Sequence, residues 1–162
     1  MKKLIALVLA LCICAGLLAA CGGSVKYRSD VPVQDISSAV SKAVGLEDGF
    51  VSMDGTFLGL TGKTAEELGE HEILVIASGT SIDEIGVFKA GTMSADALKA
   101  LAEDYLKQYV DKRWPMVELY NPTEKPKLTD AEVKVFGDYV MYAILSESDR
   151  AAAFSALENA IK

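Results

Sequence analysis

The sequence predicts an α+β domain, an antiparallel sheet of about four strands with helices packed on a face. Three observations predict it. A strand–turn–strand pattern followed by an amphipathic helix occurs twice, over residues 72–114 and again over 131–162, giving two ββα units. Within the second unit, Ala131, Val133 and Val135 alternate with Glu132 and Lys134, whereas residues 139–145 are apolar on both faces, as suits an inner strand. A further amphipathic helix precedes both units.

That first helix covers residues 31–45. Val33, Ile36, Val40, Ala43 and Val44 recur at helical spacing, with Pro32 near the start and Gly45 just past the end. Residues 46–62 lack periodicity and carry the turn-like pairs Asp48-Gly49 and Asp54-Gly55, so they read as irregular. Thr64 and Glu67 form a capping-box pattern for a short helix. The runs "EILVIAS" and "IDEIGVFKA" read as a hairpin. Ser94 then caps a long helix with Leu98, Leu101, Ala102, Tyr105, Leu106 and Tyr109 on one face. It is expected to end at Trp114-Pro115, because proline disfavours helical geometry at the residue before it. Residues 119–130 read as a loop broken by Asn121, Pro122 and Pro126. Gly137-Asp138 suits a two-residue type II′ turn with glycine first. Phe154, Leu157 and Ile161 give the last helix its core stripe.

The N-terminus carries an address. Lys2 and Lys3 precede an uncharged run over residues 4–20, the pattern of a secretory signal peptide; the run is at the short limit for a membrane span, and small residues dilute its end. Leu18-Ala19-Ala20-Cys21 resembles the lipobox of bacterial lipoproteins. The cysteine thiol is the strong nucleophile that accepts a diacylglyceryl group, and two small residues fit a peptidase that cuts before it. Leu18, Ala19 and Ala20 are therefore expected to be the signal peptidase recognition residues, and Cys21 the lipid attachment site. The expected organisation is 1–20 as signal peptide, 21–31 as a lipidated flexible tether, and 32–162 as a single domain. Cys12 and Cys14 would leave with the signal, so the mature chain would hold no disulfide and no free thiol.

Charge narrows the partners. Loss of Lys2 and Lys3 takes the net charge from −7 to −9. That disfavours nucleic acid and adhesion to anionic headgroups, both of which draw on basic patches. Lipid would anchor the chain to the membrane instead, at about 0.8 kcal/mol per buried CH₂.

No pattern with catalytic spacing emerges. "GLTGKT" lacks the first glycine of a phosphate loop, because Phe57 stands where it should be. Glu47, Asp48 and Asp54 lack the register of a calcium loop. His71 is the single histidine and cannot build a zinc site without cysteine; it reads as a solvated edge residue. Ser78 lacks the preceding glycine of a nucleophile elbow. Asp83 and Glu84 are adjacent on a strand and so face opposite ways, poorly placed to share a proton. Tyr105 and Tyr109 read as core; Trp114 and Tyr120, outside the helical pattern, are the candidates for an exposed contact surface. No catalytic residue, cofactor or metal is expected.

The lipobox together with "DEIGVFKA", "ELYNP" and "GDYVMYAILSESD" resembles a family of small lipoproteins from Gram-positive bacteria, catalogued as domain of unknown function four-three-five-eight. The resemblance runs from about Ile36 to the C-terminus. It implies no activity, since that family has none assigned, and its two clearest blocks read as sheet segments. The expectation is a lipid-anchored protein on the extracytoplasmic face of the cell membrane, a non-enzymatic module binding an envelope protein or small ligand. A carboxylate-dependent envelope enzyme or enzyme subunit is the alternative; it requires a cleft holding a carboxylate of perturbed pKa.

Overall fold

The computed structural model describes residues 26–77 and 81–162. Its elements run α1 (Val33–Ala43), β1 (Phe50–Ser52), α2 (Gly55–Thr61), α3 (Ala65–Leu68), β2 (His71–Ile76), β3 (Glu84–Lys89) and α4 (Ala95–Tyr120). A 3₁₀ turn (Pro122–Glu124), α5 (Lys125–Thr129), β4 (Glu132–Phe136), β5 (Tyr139–Ile144) and α6 (Glu147–Ala160) complete the chain. The strands form one antiparallel sheet in the order β1-β2-β3-β5-β4. The class is α+β, as the sequence predicts.

The sheet has five strands rather than four, and helices cover both of its faces rather than one. The fifth strand, β1, comes from the stretch read as irregular. It is three residues long, too short to show alternation, and pairs Phe50, Val51 and Ser52 with Ile76, Val75 and Leu74. The second layer follows from β3 and β5. Ile85 and Val87 join Met141 and Ala143 beneath α1 and α6. Phe88 joins Val140, Tyr142 and Ile144 beneath α2 to α5. Inner strands apolar on both sides need a cover on each. Because α4 and α6 lie on opposite faces, the two ββα units echo each other in chain order alone.

Local signals explain most boundaries. The Thr64–Glu67 capping box closes in both directions, and the Ser94 hydroxyl accepts from the Ala97 amide at 3.2 Å. Gly137 has φ +60° while no non-glycine residue among the described ones, Asp138 included, has positive φ, which gives the hairpin its type II′ form. The long helix departs from expectation by running through Pro115 to Tyr120. Proline removes one ladder hydrogen bond there, but Val117 is buried in the second core and the Asn121 amide still bonds the Val117 carbonyl at 2.9 Å. The expected loop of residues 119–130 also folds: Pro126 sits in the first turn of α5, where its missing N–H has no partner to lose.

Part of the expected tether is docked. The Arg28 amide bonds the Ile161 carbonyl at 2.8 Å, and the Tyr139 hydroxyl donates to the Val31 carbonyl at 2.6 Å. Tyr27 packs edge-on against Phe136 and donates to Glu158 at 3.0 Å. The domain's own contacts thus begin by Tyr27 rather than at residue 32. Leu18, Ala19, Ala20 and Cys21 lie outside the described residues.

Candidate functional site

Glu84 opens β3 on the same face as Gly86 and Phe88, the face α4 covers, so strand alternation drives a carboxyl into an apolar layer. Its exposure is 3%. The helical stripe of α4 brings Tyr105 and Tyr109 over it, and β5 brings Tyr142. The Tyr105 hydroxyl donates to Glu84 Oε1 at 2.5 Å and the Tyr142 hydroxyl donates to the same oxygen at 2.7 Å. Tyr109 adds a further hydrogen-bonding contact, and Arg113 acts on the carboxyl as a nearby charge.

Burial raises the carboxyl's pKa above its ordinary value of 4.5; the three phenols and Arg113 oppose that shift without cancelling it. Burial and the neighbouring Glu84 push Tyr109 up to about 12, and Tyr105 and Tyr142 also rise. With both lone pairs of Oε1 occupied by phenol protons, Oε2 is the oxygen left to carry the acid proton.

Packing fixes this group tightly. Tyr142 stacks near-parallel to Phe57 and lies within 5.3 Å of Tyr105, ring centre to ring centre. Its ring crosses Gly86, its cross-strand partner, so closely that a Cβ there would stand 2.0 Å from Tyr142 Cε1. Glycine is what lets a tyrosine reach Glu84 from the next strand.

Glu84 also walls a cavity of about 200 Å³, with Met53, Val75, Ile82, Tyr109 and Arg113 around it. A second cavity of about 350 Å³ shares Ser81, Ile82 and Arg113 with the first and continues to Met116, Val117 and Tyr120. Together they form a groove along the C-terminal half of α4, apolar except at Glu84, Tyr109, Arg113, Ser81 and a few neighbours. Met116, Leu119 and Tyr120 beside it are 56%, 71% and 67% exposed.

Of the two aromatic side chains expected at a contact surface, the structure places Tyr120 on the groove rim. Trp114 is instead half-buried against the second core, with the Lys125 ammonium 4.6 Å from its ring centre. Asp83 and Glu84 do part company, as adjacent strand residues should. Asp83 takes Lys127 at 2.7 Å and the Ser81 hydroxyl at 2.5 Å, apart from the phenol cluster. His71 is not the solvated residue expected: its side chain is 11% exposed, stacks on Phe88, and places Nδ1 2.8 Å from the Gly69 carbonyl. Lys63 pairs with Glu67 within the capping box, a structural use of the "GLTGKT" residues. Ser78 lies outside the described residues. Among the described residues no cluster of three or more metal-ligating side chains occurs, and no helix is long and apolar enough to cross a membrane.

The phenol–carboxyl cluster was missed in the sequence, although its signal was there. A glutamate in phase with Gly86 and Phe88 on a strand, and tyrosines in phase on the following helix, are compatible only if they meet. Comparison with known proteins adds no precedent. No protein-family model matches the chain. No curated protein and no solved structure matches it either.

Proposed function

We propose that the chain is a lipoprotein anchored through Cys21 on the extracytoplasmic face of the cell membrane, and that its domain is a non-enzymatic binding module. The observation that carries the binding reading is the groove. It offers apolar walls, one buried carboxyl and one guanidinium, the mix expected of a small-ligand or side-chain pocket. Its position suits display. Tyr27, where the chain arrives from Cys21, packs beside the Gly137 hairpin at the Lys89 end of β3 and on the opposite face of the sheet. Glu84 stands at the other end of that strand, about 16 Å away at ~3.3 Å per residue. The lipobox pattern Leu18-Ala19-Ala20-Cys21 behind an apolar run supports the same location.

The alternative, an envelope enzyme, draws support from Glu84 itself, a cavity-lining carboxyl with a raised pKa suited to a general acid. Hydrolysis by carboxylates ordinarily uses a second one across the bond. Among the described residues that line the Glu84 cavity none is a second acid, and Asp83 is held by Lys127. Binding is therefore the better supported reading.

Cys21→Ser tests the anchor. It is expected to leave an unprocessed, unacylated precursor; cleavage after Ala20 with unchanged membrane attachment would contradict the proposal. In-cell crosslinking of the full chain, read by mass spectrometry, tests the module. Crosslinks to a ligand or partner should gather at Met116 and Tyr120, and crosslinks gathered elsewhere would remove the groove from the reading. Turnover of an envelope substrate that Glu84→Gln abolishes would favour the enzyme.

A further inference from the structure

Arg113 is the least explained charge beside the groove. The chain has three arginines. Arg28 pairs with Asp30 at 3.0 Å and Arg150 with Glu132 at 3.1 Å. Arg113 meets no carboxylate within salt-bridge reach among the described residues; its guanidinium rests over the Tyr109 ring, 5.3 Å from the centre. It nevertheless lines both cavities, so any molecule filling the groove passes it. The other cation in this region, Lys127, is already held between Asp83 and Glu124 at 2.7 and 2.9 Å.

The rest of the lining selects further. Met53, Val75 and Ile82 on one side and Met116 and Val117 on the other offer nothing but apolar surface to a ligand's body. Ser81, Thr56 and Asn121 add neutral polar groups, and the charged recognition lies where Arg113, Tyr109 and the end of Glu84 line the same cavity. A guanidinium matches a carboxylate's two oxygens. A cationic head would instead be set against Arg113.

We propose that the groove binds a small carboxylic acid with an apolar chain, its carboxylate held by Arg113 beside Tyr109 and Glu84 and its chain running toward Met116 and Tyr120. The proposal rests on the binding-module reading and names its ligand class. A ligand carboxylate beside Glu84 requires one proton between the two acids, since two like charges in one buried site repel. The groups facing Glu84 are Tyr105, Tyr109 and Arg113 from α4 and Tyr142 from β5, and none of the phenols ionises near neutrality. Where Glu84 is already protonated binding takes up no proton; above its raised pKa binding must bring one in, so affinity should weaken as pH rises through that value.

The test titrates the full chain in detergent with hexanoate, hexanol and hexylamine, comparing wild type with Arg113→Met by calorimetry. The difference between proteins cancels partition of the probe into micelles. Wild type is expected to prefer hexanoate, with at least tenfold loss in Arg113→Met, little change for hexanol, and hexanoate affinity falling as pH increases. Arg113 is exposed, so the variant's melting temperature should match wild type and show that it is folded. Equal hexanoate affinity in both proteins would overturn the role of Arg113. A preference for hexylamine or hexanol would overturn the ligand class while leaving a binding groove. Failure of all three probes would overturn the small-ligand proposal, and the crosslinking experiment would still decide whether the module has another partner.

Discussion

Gly86→Ala is expected to destabilise the domain by about 3 kcal/mol, the upper range for overpacking a core, and so to lower its melting temperature by roughly 6–12 °C. The added Cβ would stand 2.0, 2.6 and 2.7 Å from three atoms of the Tyr142 ring. That ring cannot swing aside freely. Its hydroxyl is held by Glu84, Phe57 stacks on it, and Phe88 and Tyr105 flank it. The chain must move the ring and forfeit the hydroxyl bond, or spread β3 from β5 in the middle of the sheet. Backbone preference works the other way, since alanine suits a strand better than glycine, so a large loss would come from the ring contact. Thermal melts should therefore show the cost shrinking in a Tyr142→Leu background, where no ring crosses position 86. An unchanged melting temperature in Gly86→Ala would contradict this packing.

Glu84→Leu is expected to cost about 2–4 kcal/mol, because it strips two buried phenols of their acceptor at about 1–3 kcal/mol each while recovering part of the carboxyl's burial penalty. Tyr105 and Tyr142 are both fully buried and have no water to turn to. Replacing the two fully buried phenol partners as well should repair the damage: Glu84→Leu with Tyr105→Phe and Tyr142→Phe should recover most of the loss, as matched apolar replacements do. Glu84→Gln, which keeps a carbonyl acceptor for both hydroxyls, should stay within about 1 kcal/mol of wild type below pH 4.5, where the carboxyl is protonated whether folded or not. Urea denaturation of the four proteins checks the series. A triple variant no better than Glu84→Leu alone would mean that cavity formation, not orphaned hydroxyls, sets the cost.

The regular elements were legible because their signals are local. Capping at Thr64 and Ser94, the Gly137 turn and the stripe of α6 depend on residues near one another in sequence, and each appears as read. The failures share a different cause, which is that long-range packing outweighed a local rule. Pro115 argues for a helix end, yet burial of Val117 carries α4 onward to Tyr120. That extension places Met116 and Tyr120 on one surface beside Arg113 and creates the groove. β1 is too short to announce itself and exists because β2 offers it an edge. Glu84 was visible as one of two adjacent strand carboxylates facing opposite ways, but adjacency does not say which of the two is buried. Its real partners are 21 and 58 residues away.

The groove's chemistry depends on burial having raised the pKa of a Glu84 carboxyl held by phenols, and a carboxyl-carbon NMR titration of the full chain measures that directly, with the signal assigned by its loss in Glu84→Gln. Folding raises this pKa, so the folded chain keeps a proton that the unfolded chain would release. Glu84's contribution to stability is full below the unfolded value of 4.5 and is lost as pH rises through the folded value. The predicted result is a midpoint clearly above 4.5, with wild type losing stability relative to Glu84→Gln over the interval between 4.5 and that midpoint. A midpoint at or below 4.5, with no divergence between the two proteins, would contradict the account.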